Sequence, residues 1–222
     1  MSFENRKSET RDKIERAAER IIRSDGAARL TMRRLAEEAQ VALRSPYNLY
    51  GSKTGLLIAL LDRVNAVLFQ DFRSDGADWV LNEMIHTLDK TQKFYEADEE
   101  YHRGIFWEIM ISDHPEARED GHSNIVRIVT EMTVRAKAAG ELREGVDAIA
   151  LGEQLGLSIL STMGRWAGGN RGVAQPIAHT KMVWNPIVRL TAKPEPAAAR
   201  LKSFNGVGAP DNTRSMLQVE RA

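Results

Sequence analysis

The sequence predicts an all-α protein, with an N-terminal three-helix head of the helix-turn-helix type and a C-terminal helical body. Three observations carry that prediction. Apolar residues recur at helical spacing along most of the chain, and no segment alternates convincingly as a strand does. The first stripes are short and joined by tight turns, as in a helix-turn-helix. The charge is divided. Residues 1–55 hold 12 Lys and Arg against 8 Asp and Glu, whereas the remainder holds 19 against 23. A chain whose 31 basic and 31 acidic residues cancel therefore carries a basic head on an acidic body, which suits a head that meets phosphate.

Each element has its own signal. Ile14, Ala17, Ala18, Ile21 and Ile22 make the first stripe, and Gly26 is placed to close it. Met32, Leu35, Ala36 and Ala39 make the second, with Thr31 as its N-cap. A short helix follows near Leu43 to Tyr50. Ser52 then caps a long helix carrying Leu56, Leu57, Leu60, Leu61, Val64 and Leu68. The body shows stripes at Leu81, Met84, Ile85 and Leu88, at Phe106, Ile109 and Met110, and at Ile125, Ile128, Val129 and Met132.

Val146 to Trp166 is apolar on most sides and so demands cover, which a second subunit can supply. Leu155 and Ile159 are the expected interface positions there, and Gly152, Gly156 and Ser158 let helices approach closely. Gly168, Gly169 and Gly172 mark a loop. A last helix starts near Pro176 and runs through Trp184, with Pro186 expected to kink or end it. The chain from Lys193 is rich in Pro, Ala, Gly and polar residues and is expected to be disordered. The expected division is thus 1–55 head, 56–192 body and 193–222 tail.

Composition excludes several chemistries. The absence of cysteine rules out disulfides, thiol catalysis and Cys-ligated zinc. No signal peptide is visible, and no stretch approaches the roughly 20 apolar residues of a membrane helix, so a cytoplasmic protein without a membrane partner is expected. His86, His102, His114, His122 and His179 are scattered without metal-ligand spacing. Gly51-Ser52-Lys53-Thr54 lacks the spacing and the preceding strand of a phosphate loop, and no G-x-S-x-G elbow occurs. Glu96 to Glu100 is an acidic cluster at a helix start, favourable in any case. No enzyme activity, metal or cofactor is expected. A small helical enzyme and a non-specific architectural DNA binder stand as the alternative readings.

The head residues divide by chemistry. Thr31 can cap its helix or bond a phosphate. Arg33 and Arg34 lie on the polar side of the second helix. Arg44 has the fork geometry for guanine O6 and N7, Asn48 can read adenine or bond phosphate, and Leu43 can meet a thymine methyl. Ser45 lies beside them. Tyr47 has a hydroxyl for phosphate, and Lys53, in the first turn of the next helix, is expected to contact phosphate. Leu35, Ala36, Val41, Leu49 and Tyr50 are expected in the core. Arg6, Lys7, Arg11 and Lys13 are read either as an arm on DNA or as a disordered basic tail.

The run Leu30-Thr31-Met32-Arg33-Arg34-Leu35-Ala36, then Val41, then Pro46-Tyr47-Asn48-Leu49-Tyr50-Gly51-Ser52-Lys53, then Leu56-Leu57, closely resembles the tetracycline-repressor (TetR) family. The head of that family reads "LT...IA...GVS..TLY.HF.SKE.LL". Gln40 stands where the turn Gly is usual, Ala42 for the capping Ser, Pro46 for an aliphatic residue, Leu49 for His, Tyr50 for Phe and Thr54 for Glu.

The resemblance implies a homodimeric repressor on a palindromic double-stranded DNA operator. It also implies a body that takes an unidentified small-molecule effector, and last helices that pair across the dimer. It points to Arg33 at the groove edge and to Tyr47 on phosphate. Candidate walls of an apolar or aromatic effector site are Trp79, Phe106, Trp107, Met110, His122, Met132 and Met163. Met84, Phe94, Tyr95 and Trp166 are further aromatic or thioether candidates.

Overall fold

The computed structural model describes residues 3–68, 80–112, 115–169 and 171–194, and of 3–5 and 115–123 it describes the backbone alone. The described residues form nine α-helices and one turn of 3-10 helix, with no strand. The helices are α1 (Phe3–Asp25), α2 (Met32–Glu38), α3 (Arg44–Tyr50), α4 (Lys53–Leu68), α5 (Val80–Ala97), α6 (Glu99–Met110), α7 (Pro115–Ala138), α8 (Ala148–Ala167) and α9 (Ala174–Thr191). The 3-10 turn is Ala27–Arg29. No described helix is long and apolar enough to cross a membrane. The expected tail, 193–222, lies almost wholly outside the described residues.

The chain divides into two compact units. The first takes the described residues of Met1–Val64, Asp98–Asn124 and Met163–Gly172. Its core is the set that periodicity placed on one face: Ile14, Ala17, Ala18, Leu35, Leu56 and Leu57 have lost all or nearly all contact with solvent. The helix ends follow local chemistry. Gly26 adopts φ 84° and its N–H donates to the Ile22 carbonyl at 2.9 Å, closing α1. Thr31 Oγ1 accepts from the Arg34 N–H at 3.2 Å, and Ser52 Oγ from the Gly55 N–H at 3.0 Å.

The basic N-terminus is not a disordered tail, because α1 begins at Phe3 and carries Arg6, Lys7, Arg11 and Lys13 on its exposed surface. Lys13 pairs with Glu9 at 3.0 Å one turn back, the spacing that supports an exposed helix.

The turn after α2 departs from the usual residue but not from the usual geometry. Gln40 sits at φ 54°; its N–H donates to Glu37, and the Val41 N–H donates back to Ala36 at 3.0 Å. The end of α7 repeats the same two-bond closure with Gly140 at φ 76°, bonded to Lys137, and Glu141 bonded to Ala136. A side chain in the left-handed region is disfavoured by about 1–2 kcal/mol. Gln40→Gly is therefore expected to raise stability by about 0.5–1 kcal/mol, after the greater unfolded freedom of glycine is subtracted. A thermal melt that shows no gain would mean that Gln40 makes a compensating contact.

The second unit takes the described residues of Asn65–Ala97, Ile125–Thr162 and Val173–Ala222. Here α8 lies against α7 so closely that a Cβ on Gly152 would stand 2.4 Å from Thr130 Cα, and one on Gly156 2.8 Å from Val126 Cα. The close approach expected of these glycines is thus made inside the chain. Ser158 serves α9, accepting from Trp184 Nε1 at 2.9 Å.

Leu155 also faces inward. It is fully buried, and its carbonyl takes a second contact from Trp184 Nε1 at 3.2 Å. That corrects its expected place at an interface. The outward positions of these helices are instead Ile149 and Leu157 on α8 and Met182, Val183 and Leu190 on α9, while Ile159 is half-buried.

Pro176 is the third residue of α9, still in the first turn, where a missing N–H is not felt. Pro186 does not end the helix, which continues to Thr191. The far side of the proline is held by the burial of Val188. The last turn is held by the Arg143 N–H, which donates to the Thr191 carbonyl at 2.9 Å.

Candidate nucleic-acid interface

Helix α3, the second helix of the helix-turn-helix, is seven residues long. Its inner side is held in place by Pro46, which is buried in the first turn, and by Tyr50. The Tyr50 hydroxyl donates to Glu15 Oε1 at 2.9 Å. Burial, with the Glu15 carboxylate beside it, pushes the phenol well above its ordinary value, so it stays a donor at any physiological pH. Glu15 and Glu19 of α1 are themselves buried and both accept from Arg63 of α4, the Glu15 bond being 2.9 Å. One guanidinium and one phenol thus fasten α1, α3 and α4 to each other behind the outer face. At the far end Gly51, at φ 71°, donates to the Tyr47 carbonyl at 2.8 Å and stops α3.

With that side fixed, the other side faces outward. Leu43, Arg44, Tyr47 and Asn48 share one exposed face, being spaced i, i+1, i+4 and i+5. Leu43 is 52% and Tyr47 50% exposed, high for large apolar surfaces in a well-packed head. Ser45 is half-buried at the edge. Thr31 is exposed, its oxygen already engaged as the α2 cap. Arg33 projects freely into solvent apart from a 3.1 Å pair with Glu37, one turn on. Arg34 is turned instead toward Asp25, whose carboxyl it holds below the usual carboxylate range through their hydrogen bond. Of the residues expected in the core, Leu35 and Ala36 are buried, whereas Val41, Leu49 and Tyr50 are half-buried.

Lys53 is differently placed. Its Nζ lies 2.6 Å from Glu108 Oε2 of α6, and both side chains are largely covered. Beside it Thr54 and Ser112 share a hydroxyl–hydroxyl bond of 2.7 Å. Farther along α6, Gly104 packs on the 3-10 turn, where an added Cβ would stand 3.3 Å from Ala27 Cβ. Asp98, before α6, pairs with Arg23 at 2.7 Å, and the Arg23 guanidinium lies 4.4 Å from the Tyr101 ring centre. Helix α6 is therefore tied to the head along its whole length. Glu108 had no signal in the sequence, because its partner is 55 residues away.

The effector candidates gather only in part. Phe106 and Trp166 are buried and meet edge to face, 5.8 Å between ring centres. Met163 is buried, and the half-buried Met110 reaches Gly164, where an added Cβ would stand 3.1 Å from its terminal methyl. Trp166 also donates to Glu99 at 3.1 Å. Trp107 does not join them: it is 43% exposed, its ring lying over Gly168. Met84, Phe94, Tyr95 and Met132 are buried in the second unit. Trp79 lies outside the described residues, and so does the side chain of His122.

Among the other histidines, His102 is a core residue. Its Nδ1 lies 2.8 Å from the Asp98 carbonyl, and burial pushes the imidazole down to about 4, leaving it neutral near pH 7. Among the described residues no group of three or more His, Cys, Asp or Glu could hold a metal ion.

Comparison with known proteins agrees with this geometry. Residues 14–60 match the model of bacterial regulatory proteins, tetR family. No curated protein matches the chain. Among solved structures, Thermus thermophilus FadR, a TetR-family transcriptional repressor in complex with lauroyl-CoA, is similar at TM-score 0.65 and 19% identity. That alignment covers 79% of this chain and 93% of that one. SmeT, the repressor of the Stenotrophomonas maltophilia multidrug efflux pump SmeDEF, is similar at 0.60 and 19%, covering 83% and 93%. A SmeT–triclosan complex is similar at 0.58 and 20%, covering 83% and 92%. At such identities the structures establish the fold, and the matched head adds the sequence pattern. Residues 14–60 thus carry the sequence pattern of the tetR-family head, and the chain shares the fold of solved TetR-family regulators.

Proposed function

We propose that this chain is a TetR-family regulator, a homodimeric repressor that reads a palindromic operator with α3 and is released by a small apolar or aromatic molecule bound in its body. The observation that carries the reading is the outer face of α3. Leu43, Arg44, Tyr47 and Asn48 combine apolar, cationic, phenolic and amide groups on one exposed surface of an otherwise fastened helix. Such a set serves base edges and phosphate together. Thr31, Arg33 and Ser45 are assigned to the rim of the same contact. The division into a head, 1–55, and a ligand-binding and dimerisation body, 56–192, belongs to this proposal.

A second copy is the proposed cover for the exposed Ile149, Leu157, Met182, Val183 and Leu190. Two of the similar structures hold lauroyl-CoA and triclosan, and the Phe106–Trp166 pair supports an effector of comparable apolar character here.

The test begins with footprinting on the DNA that flanks the gene. The protected duplex and a random duplex are then compared with Arg44→Lys, which keeps the charge and removes the fork. The variant is expected to lose roughly 1–3 kcal/mol on the protected site and much less on random DNA, with an almost unchanged salt slope. Wild-type protein that binds both duplexes equally would favour a non-specific architectural role. Wild-type discrimination left intact by Arg44→Lys would move base reading to Arg33.

A further inference from the structure

We infer that Glu108 of α6 competes with DNA phosphate for the Lys53 ammonium, so that the strength of non-specific DNA contact is set by a carboxylate outside the helix-turn-helix. The inference rests on the proposed DNA-binding role of the head.

Lys53 stands in the first turn of α4, three residues past the end of α3. At that place a cation can be offered to the backbone of a duplex whose bases face α3. In the structure that cation is not offered. Its Nζ is 2.6 Å from Glu108 Oε2, and the Ala28 carbonyl is a weaker second acceptor at 3.5 Å. The two side chains retain 27% and 15% of their exposure, so the pair is poorly screened by water.

A phosphate that reached Lys53 here would meet a neutralised cation with a carboxylate directly behind it. Counterion release needs an uncompensated cation, so the paired Lys53 adds little to the salt dependence of binding. The contrast with Arg44 is informative: Arg44 is exposed on the outer face of α3, whereas the more sheltered Lys53 is spoken for by α6.

Glu108→Gln tests this directly. Gln keeps the size of the side chain and an oxygen for the Lys53 ammonium but removes the charge. The adjoining Thr54–Ser112 bond still holds the start of α4 to α6. Binding to a random-sequence duplex is measured across a salt series, because a phosphate contact needs no particular sequence, and thermal melting checks that each variant is folded. Glu108→Gln is expected to bind several-fold more tightly at low salt and to steepen the log K against log salt line by about one unit per subunit.

Lys53→Ala alone is expected to change the slope little, and Lys53→Ala combined with Glu108→Gln to abolish the gain. Tighter binding that survives in the double variant would overturn the inference, because the gain would then come from general charge and not from Lys53. So would a folded Glu108→Gln protein that binds as the wild type does or more weakly, since Glu108 would then be positioning Lys53 for phosphate. If neither wild type nor Glu108→Gln binds any duplex, the DNA-binding reading itself fails, and this inference with it.

Discussion

Leu155→Glu is expected to unfold the protein, and Leu157→Glu, two residues farther along the same helix, to leave it folded but monomeric. Helix α8 is apolar on most sides, so the two leucines look alike in sequence. They differ in where the helix turns them. Leu155 is fully buried beneath Trp184, while Leu157 is 51% exposed. An ionised carboxylate at 155 has no partner and no water. Such a change costs several kcal/mol, much of the roughly 5–15 kcal/mol that holds a domain together.

At 157 the same carboxylate remains in water in the single chain and suffers only when a second copy covers it. Adding Met182→Glu, at a position 69% exposed on α9, should strengthen the effect. Circular dichroism melts and light scattering at micromolar concentration separate the two outcomes. A Leu157→Glu, Met182→Glu protein that is still dimeric would place the partner surface elsewhere. A wild type that is monomeric would remove the dimer altogether.

Glu141→Ala is expected to cost about 2–4 kcal/mol, although the residue lies in a loop. Its two carboxylate oxygens accept from the first N–H groups of α5, Val80 at 2.8 Å and Leu81 at 3.0 Å. These donors are buried, and each buried donor left without a partner costs about 1–3 kcal/mol. The negative charge also faces the positive end of the helix. The Glu141 backbone adds a third tie, accepting from the Lys193 N–H at 2.7 Å.

Burial raises the Glu141 carboxyl above its ordinary value, and the bonds from Val80 and Leu81 only partly offset this. A raised folded value means that the stability linked to its titration is fully present below the usual carboxylate range and is lost as pH rises through the raised value. The stability gap between wild type and Glu141→Ala is therefore expected to be widest in acid and to narrow toward neutrality. A gap that widens with pH instead would show that the helix end dominates over burial. Denaturant melts at a series of pH values measure it.

The sequence by itself determined the helices, most of their ends and the helix-turn-helix pattern of the head. These are local matters. A stripe at i, i+3 and i+4 chooses a face within two turns, and Gly26, Thr31 and Ser52 close or open helices through bonds that reach only three or four residues. Even Gln40 was readable as a departure, because the turn imposes its left-handed backbone whatever residue occupies it.

The tertiary structure decided the rest. It turned Leu155 inward and Leu157 outward on a helix whose composition allowed either. It carried α9 past Pro186 and joined Gly152 to α7 within one chain. It also set Lys53 against Glu108 and Glu141 against Val80, pairs separated by 55 and 61 residues. Periodicity records which residues share a face but not what that face will meet. A partner distant along the chain is chosen by how all the faces can be buried at once with every charge and donor satisfied.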